Sequence, residues 1–405
     1  MKILQLCHKP PFPPSDGGAI AMNNVTQGLL KAGHSVRVLA METPKHAVSA
    51  AVNTTGYRSA VNFESVYVDT TPSFFAAFKS LFTRRSYQIS RFYSKAFAKK
   101  LAAILQQETF DIVQLESVFT ASYIPVIRQY SKAKIVLRTH NIEHQIWQRM
   151  ARHERFWPRK WAIKCLANQL ERFECGLGSQ IDAFAAISEP DYQFFADCYG
   201  DVPGTILPFG VDPDDYPEDE NYMPSATPEL FYVGSMNWRP NIEGLEFFLD
   251  EVWPLVLERF PDLTFTIAGR GTPATLTSRH DKNVIVVGEV ESANDFMLSK
   301  DVMVVPLLSG SGIRVKIIEG MALGKTVITT TIGAEGIAVE DGKNILIANT
   351  PEQFVEAIAK CVHAPDICSF IGENARNLIA LDHNNEVITQ DLIQFYNSLL
   401  NHANE

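Results

Sequence analysis

The sequence predicts an α/β protein made of two doubly wound parallel sheets in succession. Three observations lead there. Short apolar runs bounded by turn residues alternate with amphipathic, helix-length stretches through the first half of the chain. A segment rich in Pro, Asp and Gly, Pro203 to Pro228, interrupts the alternation, which then restarts. The length, 405 residues, is long for one core and comfortable for two.

In the first half, Lys2 to Leu6 reads as a short buried strand, Gly18 to Ala32 as a helix and Ser35 to Ala40 as the next strand. Asp111 to Leu115, Lys134 to Thr139 (leading into His140) and Ile181 to Ile187 follow as strands. In the second half, Glu229 to Val233 is a strand ending in Gly234, and Asn241 to Glu258 is helical. Leu263 to Ala268 is a strand ending in Gly269-Arg270-Gly271; Val284 to Val287, Val302 to Leu308 and Thr326 to Thr330 complete the set. Asn384 to Leu400 reads as a long amphipathic helix. The expected domains are 1–205 and 206–383, with 384–405 returning to the first. Open parallel sheets bind ligands outside the carboxyl ends of their strands, so residues just past each strand are the first candidates.

Composition sets limits. The chain is 46% hydrophobic and 20% charged, as a folded globular protein is. A net charge of −10 argues against nucleic acid as a partner. Six scattered cysteines without a Cys-x-x-Cys pair read as reduced thiols of a cytosolic protein. The first apolar run is too short for a signal peptide, and no apolar stretch reaches membrane-spanning length.

The stretch Gly310 to Gly324 carries the sharpest chemistry. It follows a strand, contains a helix with Ile313, Ile317 and Met321 on its apolar face, and ends at a glycine suited to close it. Arg314 and Lys316 stand at the N-terminal end of that helix, where the macrodipole is already positive; each costs roughly 0.3–1 kcal/mol unless something offsets it. A bound diphosphate offsets both. The cations are two residues apart, about 200° on an ideal helix, so at least one belongs to the loop or first turn. Glu319 in the same helix can accept from two vicinal hydroxyls, which suits a ribose. Glu335 lies just past the following strand and either ligates there or caps a turn. No spacing of His, Cys or carboxylates makes a metal site.

In line, these pieces resemble the GT-B glycosyltransferases, and among them retaining glycosyltransferase family 4. The resemblance covers essentially the whole chain. It rests on Pro13-Pro14-Ser15-Asp16-Gly17-Gly18, Lys31 to Val36, Arg138-Thr139-His140-Asn141-Ile142-Glu143, and Ile206 to Asp212. Tyr232 to Met236, Ile267 to Gly271 and the block Gly310 to Glu335 complete it. Family members often carry two glutamates eight positions apart; Glu319 matches the second, and Ser311 stands at the first. The family's usual Arg/Lys phosphate pair falls at Asn237-Trp238-Arg239-Pro240-Asn241, which has one Arg and no following Lys, so Arg314 and Lys316 look like the replacement pair.

The resemblance implies two Rossmann-like domains facing each other across a cleft, an N-terminal acceptor domain and a C-terminal donor domain. It implies transfer of a sugar from a nucleotide diphosphate-sugar to a hydroxyl of a glycan or lipid-linked acceptor, with retention and without a cofactor or metal. The donor-binding set is Gly17, Gly18, Gly234, Gly269, Arg270, Ser311, Gly312, Arg314, Lys316, Glu319 and Glu335. His140, which ends a strand, touches the transferred sugar; with Arg314 and Lys316 it forms the catalytic set. Asn141, Glu143 and Glu116 stand nearby. A nucleotide-sugar 2-epimerase on the same fold, and a non-catalytic scaffold that binds sugar nucleotides, remain open alternatives.

One feature falls outside this reading. Phe74 to Lys100 carries seven basic residues and no acidic one, interleaved with aromatics, and Arg149 to Lys164 adds a second basic run beside Trp147, Trp157 and Trp161. Such a pattern suits peripheral contact with the inner membrane surface, or a pair of helices that bury their aromatics and solvate a basic face.

Overall fold

The computed structural model describes residues 1–401 except 15, 49–55, 82, 84–85, 218–226 and 311; the side chains of Phe74 and His153 also lie outside the described set. The chain forms two compact units, Met1–Gly210 with Asn385–Glu405, and Val211–Asn384. The strands are β1 Lys2–Cys7, β2 Ser35–Glu42, β3 Glu64–Tyr67, β4 Ile112–Glu116, β5 Lys134–Thr139, β6 Ala183–Ala186 and β7 Gly204–Ile206, then β8 Leu230–Val233, β9 Phe265–Ala268, β10 Val284–Gly288, β11 Val302–Val305, β12 Thr326–Thr329 and β13 Leu346–Ile347. Six helices bear on function: α1 Gly17–Lys31, α2 Phe74–Ser80, α3 Glu143–His153, α4 Trp157–Cys175, α5 Val315–Ala322 and α6 Asn385–Asn401.

The first unit is a parallel sheet in the order β3-β2-β1-β4-β5-β6-β7. Its central strands are buried save for the first residues of β1 and β5, which is why they read as nearly continuous apolar runs. The polar exceptions share one face, because register pairs Gln5 with Gln114 and Glu116 with Arg138. α1 covers that face with Met22, Val25 and Leu29, capped at its start by Asp16, whose carboxylate accepts from the Ala19 N–H. α6 packs Ile388, Leu392, Tyr396 and Leu399 into the same core. The opposite face is filled by Phe97, Leu101, Tyr123, Leu170 and Phe195.

The second unit is a parallel sheet in the order β10-β9-β8-β11-β12-β13. Trp253, Phe248, Phe265 and Phe354 lead its core. In both sheets the strand order reverses beside the first strand, between β1 and β4 and between β8 and β11. The crevice at such a switch point is where ligands of open sheets bind.

Several expectations are corrected. Asn241 to Glu258 is not one helix: helices Arg239–Phe247 and Trp253–Arg259 flank a π turn, Phe248–Val252. Pro254 is the cause, since it lacks an N–H and crowds the carbonyl four residues back. Strand β11 stops at Val305 because Pro306 cannot continue the ladder. The apolar face of α5 begins at Ile317 rather than Ile313, which precedes the helix. The Pro203 to Pro228 segment holds an edge strand, β7, as well as turns. Not all cysteines are thiols: Cys175 at the end of α4 and Cys198 in the helix Glu189–Tyr199 are joined as a disulfide, their Cα atoms 4.9 Å apart. A separation of 23 residues gave no motif to read, and packing alone brings the two helix ends together.

Candidate functional site

In the second unit the candidate residues gather around the start of α5. Arg314 is its N-cap residue and is 4% exposed. The guanidinium folds back onto the Gly312 carbonyl, reaches the Ile332 carbonyl (3.4 Å) and lies over the Trp238 ring at 5.4 Å. Lys316, the second residue of α5, donates to the Tyr232 hydroxyl (2.6 Å) and to Asn241 Oδ1 (2.8 Å). Both partners are neutral. Burial, helped by the Arg314 charge, therefore pulls the ammonium down to about 7. Two cations held at a helix N-terminus, one of them poorly compensated, make a site that gains from an arriving anion.

Glu319 follows on the same helix and accepts from the Tyr216 hydroxyl (3.3 Å). Burial raises its carboxyl above the usual range, against the Tyr216 bond and the Lys316 charge. The helix is closed by Gly324, whose φ of 70° lets its N–H reach the Met321 carbonyl while Lys325 reaches that of Gly320.

Gly234 follows β8, and a Cβ there would sit 2.5 Å from Lys316 Nζ. Gly269 follows β9, where a Cβ would come within 2.0 Å of the Gly234 carbonyl oxygen, so only glycine permits the two strand-end loops to touch. Gly312 lies in the loop before α5. Arg270 and Glu335 are exposed, Arg270 beyond β9 and Glu335 in the turn after β12, where its N–H meets the Ile332 carbonyl that Arg314 also reaches. Ser311 lies outside the described residues.

In the first unit the candidates stand at the carboxyl ends of β1, β4 and β5. His140, just past β5, bonds through Nε2 to Glu116 Oε2 (2.7 Å). Glu116 ends β4, is wholly buried and receives Arg138 Nη1 at 3.3 Å. Burial alone would raise its carboxyl, but the Arg138 charge and the bonds from His140 and Gln5 hold it at about 2. Burial lowers His140, with Glu116 opposing and Arg138 assisting. Beside it His8 bonds through Nδ1 to the Glu116 carbonyl (2.9 Å) and is lowered to about 3 by burial, Lys9 and His140. Gly17 and Gly18 open α1; Lys9 Nζ lies over Gly18 and pairs with Asp16 (2.5 Å).

Glu143, at the first position of α3, is raised to about 7 by burial and by the neighbouring Glu174 carboxylate, against an Asn141 bond. Glu174 itself accepts from the N–H groups of Glu143 and His144 (2.9 Å each), so it caps α3.

Sequence reasoning missed Tyr232, Asn241, Trp238 and Tyr216 in the second unit, and His8, Lys9 and Asp16 in the first. Trp238 and Asn241 carry the instructive signal. They lie in the segment that lacks the family's usual cation pair, and they are what holds Arg314 and Lys316.

A model of glycosyltransferase family 4 matches residues 15–215, and a model of glycosyl transferases group 1 matches residues 227–364. A protein of Klebsiella pneumoniae described as an uncharacterized 44.6 kDa protein in the cps region is 24% identical over 368 residues, 88% of this chain and 90% of that one. Among solved structures, Anabaena Alr3699/HepE in complex with UDP aligns with a TM-score of 0.67 at 14% identity, covering 98% of this chain and 100% of that one. The same protein is also known in complex with UDP-glucose. Sucrose-phosphate synthase from Thermosynechococcus elongatus aligns with a TM-score of 0.68 at 15% identity, covering 99% and 100%. At these identities the structural likeness is one of fold. Two parallel sheets with the switch-point sites described, matched by a family 4 model and then a group 1 model, place this chain among the GT-B glycosyltransferases, to which it belongs.

Proposed function

We propose that this glycosyltransferase moves a sugar, with retention, from a nucleotide diphosphate-sugar to a hydroxyl of a glycan or glycolipid acceptor in cell-surface polysaccharide synthesis. The pair of cations at the start of α5, buried Arg314 and half-buried Lys316, carries the reading. In the proposal, Val211–Asn384 is the donor unit, the other the acceptor unit. The two cations and the α5 N-terminus hold the diphosphate, and Glu319 takes the ribose hydroxyls. The base packs near Gly269 to Gly271 and Gly288 to Val290. His140 meets the transferred sugar, with the Gly17-Gly18 loop beside it.

The reaction breaks the bond from the anomeric carbon to the diphosphate oxygen. The acceptor oxygen bonds to that carbon on the same face, and its proton passes to the departing phosphate oxygen. No protein nucleophile is needed. The chain's part is to stabilise charge as it develops on the diphosphate, with donors already in place. HepE's complexes with UDP and UDP-glucose support a UDP-sugar as the first donor to try, and the cps-region relative supports a polysaccharide pathway.

A surface feature supports work at the inner face of a membrane. The sequence's two basic–aromatic runs divide on folding. Phe97 is buried, and Phe92 and Trp147 pack against the core. Phe75 and Phe78 on α2 and Phe156, Trp157 and Trp161 at the start of α4 are exposed, from 52% to 78%. Gln169 of α4 ties to the Ser80 carbonyl at the end of α2 (2.7 Å), and Lys79, Arg155, Arg159 and Lys164 are exposed beside the rings. Phe82, Arg84 and Arg85 lie outside the described residues. Exposed rings among cations suit a surface of anionic lipid that presents lipid-linked acceptors. No helix among the described residues is long and apolar enough to cross a membrane.

The test offers the purified protein UDP-glucose and a GDP-hexose with lipid-linked acceptors and follows nucleotide release, then reads the new anomeric configuration by NMR. An inverted product overturns retention. Release of neither nucleotide overturns the donor class.

A further inference from the structure

A seam of buried polar side chains crosses the α1 and α6 face of the first sheet. Thr26 of α1 donates to Gln5 Oε1 (2.6 Å), and Gln5 Nε2 donates to Glu116 Oε1 (2.7 Å). Tyr396 of α6 donates to Gln114 Oε1, and Gln114 Nε2 donates to the same Glu116 oxygen. Arg138 Nη1 bonds the Ala21 carbonyl (3.0 Å) as well as Glu116 Oε2. All six of these side chains, from Thr26 to Tyr396, are 2% exposed or less. Apolar residues of similar volume would stabilise such a core at least as well. The use of the seam lies at its open end, where Glu116 Oε2 receives His140.

We propose that Glu116 is a positioning residue: it fixes His140 in the Nε2–H tautomer, so that the ring presents Nδ1 as a hydrogen-bond acceptor to a hydroxyl of the bound sugar. This deepens, and rests on, the reading of His140 given above. An ionised carboxylate only accepts, so the proton between the two groups belongs to His140 Nε2. The donors around Glu116 (Gln5, Gln114 and Arg138) keep it ionised. The groups facing His140 are Glu116 on β4, Arg138 on β5, and His8 and Lys9 after β1. Burial, with the charges of Arg138 and Lys9, keeps the ring neutral against the pull of Glu116, which leaves a lone pair on Nδ1. His8 is set the other way round. Its Nδ1 meets a carbonyl, a pure acceptor, so its proton is on Nδ1. The two rings stand 6.0 Å apart, edge to face. Through Tyr396 and Gln114, α6 at the far end of the chain bears on the tautomer of His140.

The test reads the tautomer directly. The full chain labelled with 15N-histidine is observed by long-range proton–nitrogen correlation, with the His140 signals assigned by their loss in His140→Gln. The wild type is expected to show the Nε2–H form from pH 6 to 8, about the usual titration range of histidine. Glu116→Gln, whose amide can donate as well as accept, is expected to show a mixture of tautomers. Its turnover is expected to fall by about ten- to a hundredfold, the loss of one hydrogen bond to a charged group. A purely structural Glu116 would lower the melting temperature of that variant and leave the tautomer alone. An Nδ1–H signal in the wild type overturns the proposal without any variant. An unchanged tautomer in Glu116→Gln also overturns it. Full turnover in His140→Ala overturns instead the reading on which it rests, and the NMR result stands apart from that.

Discussion

Lys316 bonds to Asn241 across two segments that are 75 residues apart in sequence, at 2.8 Å. The start of α5 is thereby tied to the helix Arg239–Phe247 that follows β8, at the point where the strand order of the second sheet reverses. The pairing gives a half-buried lysine neutral partners, its pKa is pulled down to about 7, and nucleotide binding is expected to be sensitive to pH. A bound diphosphate raises that pKa. The protein then takes up a proton on binding wherever the free lysine is neutral, and affinity falls as pH rises above about 7 toward the bound pKa, by up to about tenfold per unit. Calorimetry of UDP binding at pH 8 in two buffers of different ionisation enthalpy checks this; heats that do not depend on the buffer would separate Lys316 from the phosphates.

Arg314 is expected to act on the transition state. Arg314→Ala should cost on the order of 2–4 kcal/mol in kcat/KM, as loss of one anion-stabilising donor does. Arg314→Lys should recover little of it, because an ammonium cannot bond the Gly312 and Ile332 carbonyls and stack on Trp238 in the manner of the planar fork. Steady-state kinetics decide the matter, with circular dichroism confirming an intact fold; near-normal turnover in Arg314→Ala removes Arg314 from the site.

Glu319 predicts a thermodynamic cycle. Glu319→Ala should weaken UDP by about 1.5–3 kcal/mol, the worth of hydrogen bonds to a charged group. The 2′-deoxy nucleotide should bind the wild type less well than UDP and bind Glu319→Ala equally. Additive losses would place the ribose elsewhere.

The exposed aromatic residues predict salt-sensitive lipid binding. Co-sedimentation with vesicles containing phosphatidylglycerol should fall on raising salt, and fall strongly in Trp157→Ser with Trp161→Ser. Equal binding to neutral vesicles, or binding that the double variant retains, would contradict the assignment of this surface.

Much of the fold was legible because parallel strands buried on both faces read as apolar runs, and because Gly324 marks a helix end by its chemistry. The edges were not: β3 is polar and β13 is two residues long, so neither has a pattern to find. Arg314 and Lys316 were visible as charges at the wrong end of a helix. Tyr232 and Asn241 were not, because a tyrosine inside a strand and an asparagine near a helix start look structural until the fold brings them to Lys316. The buried seam was hidden for the same reason: Gln5, Gln114 and Glu116 interrupt strands that otherwise read as core, and only the register shows that they share a face.

Calorimetric titration of the full chain with UDP and with GDP, beside Arg314→Ala, decides whether the start of α5 is a diphosphate site. Binding of one nucleotide in preference to the other is expected, weakened at least about tenfold by the substitution, a loss of roughly 1.4 kcal/mol or more. Binding of neither nucleotide, or equal binding by Arg314→Ala, would contradict it.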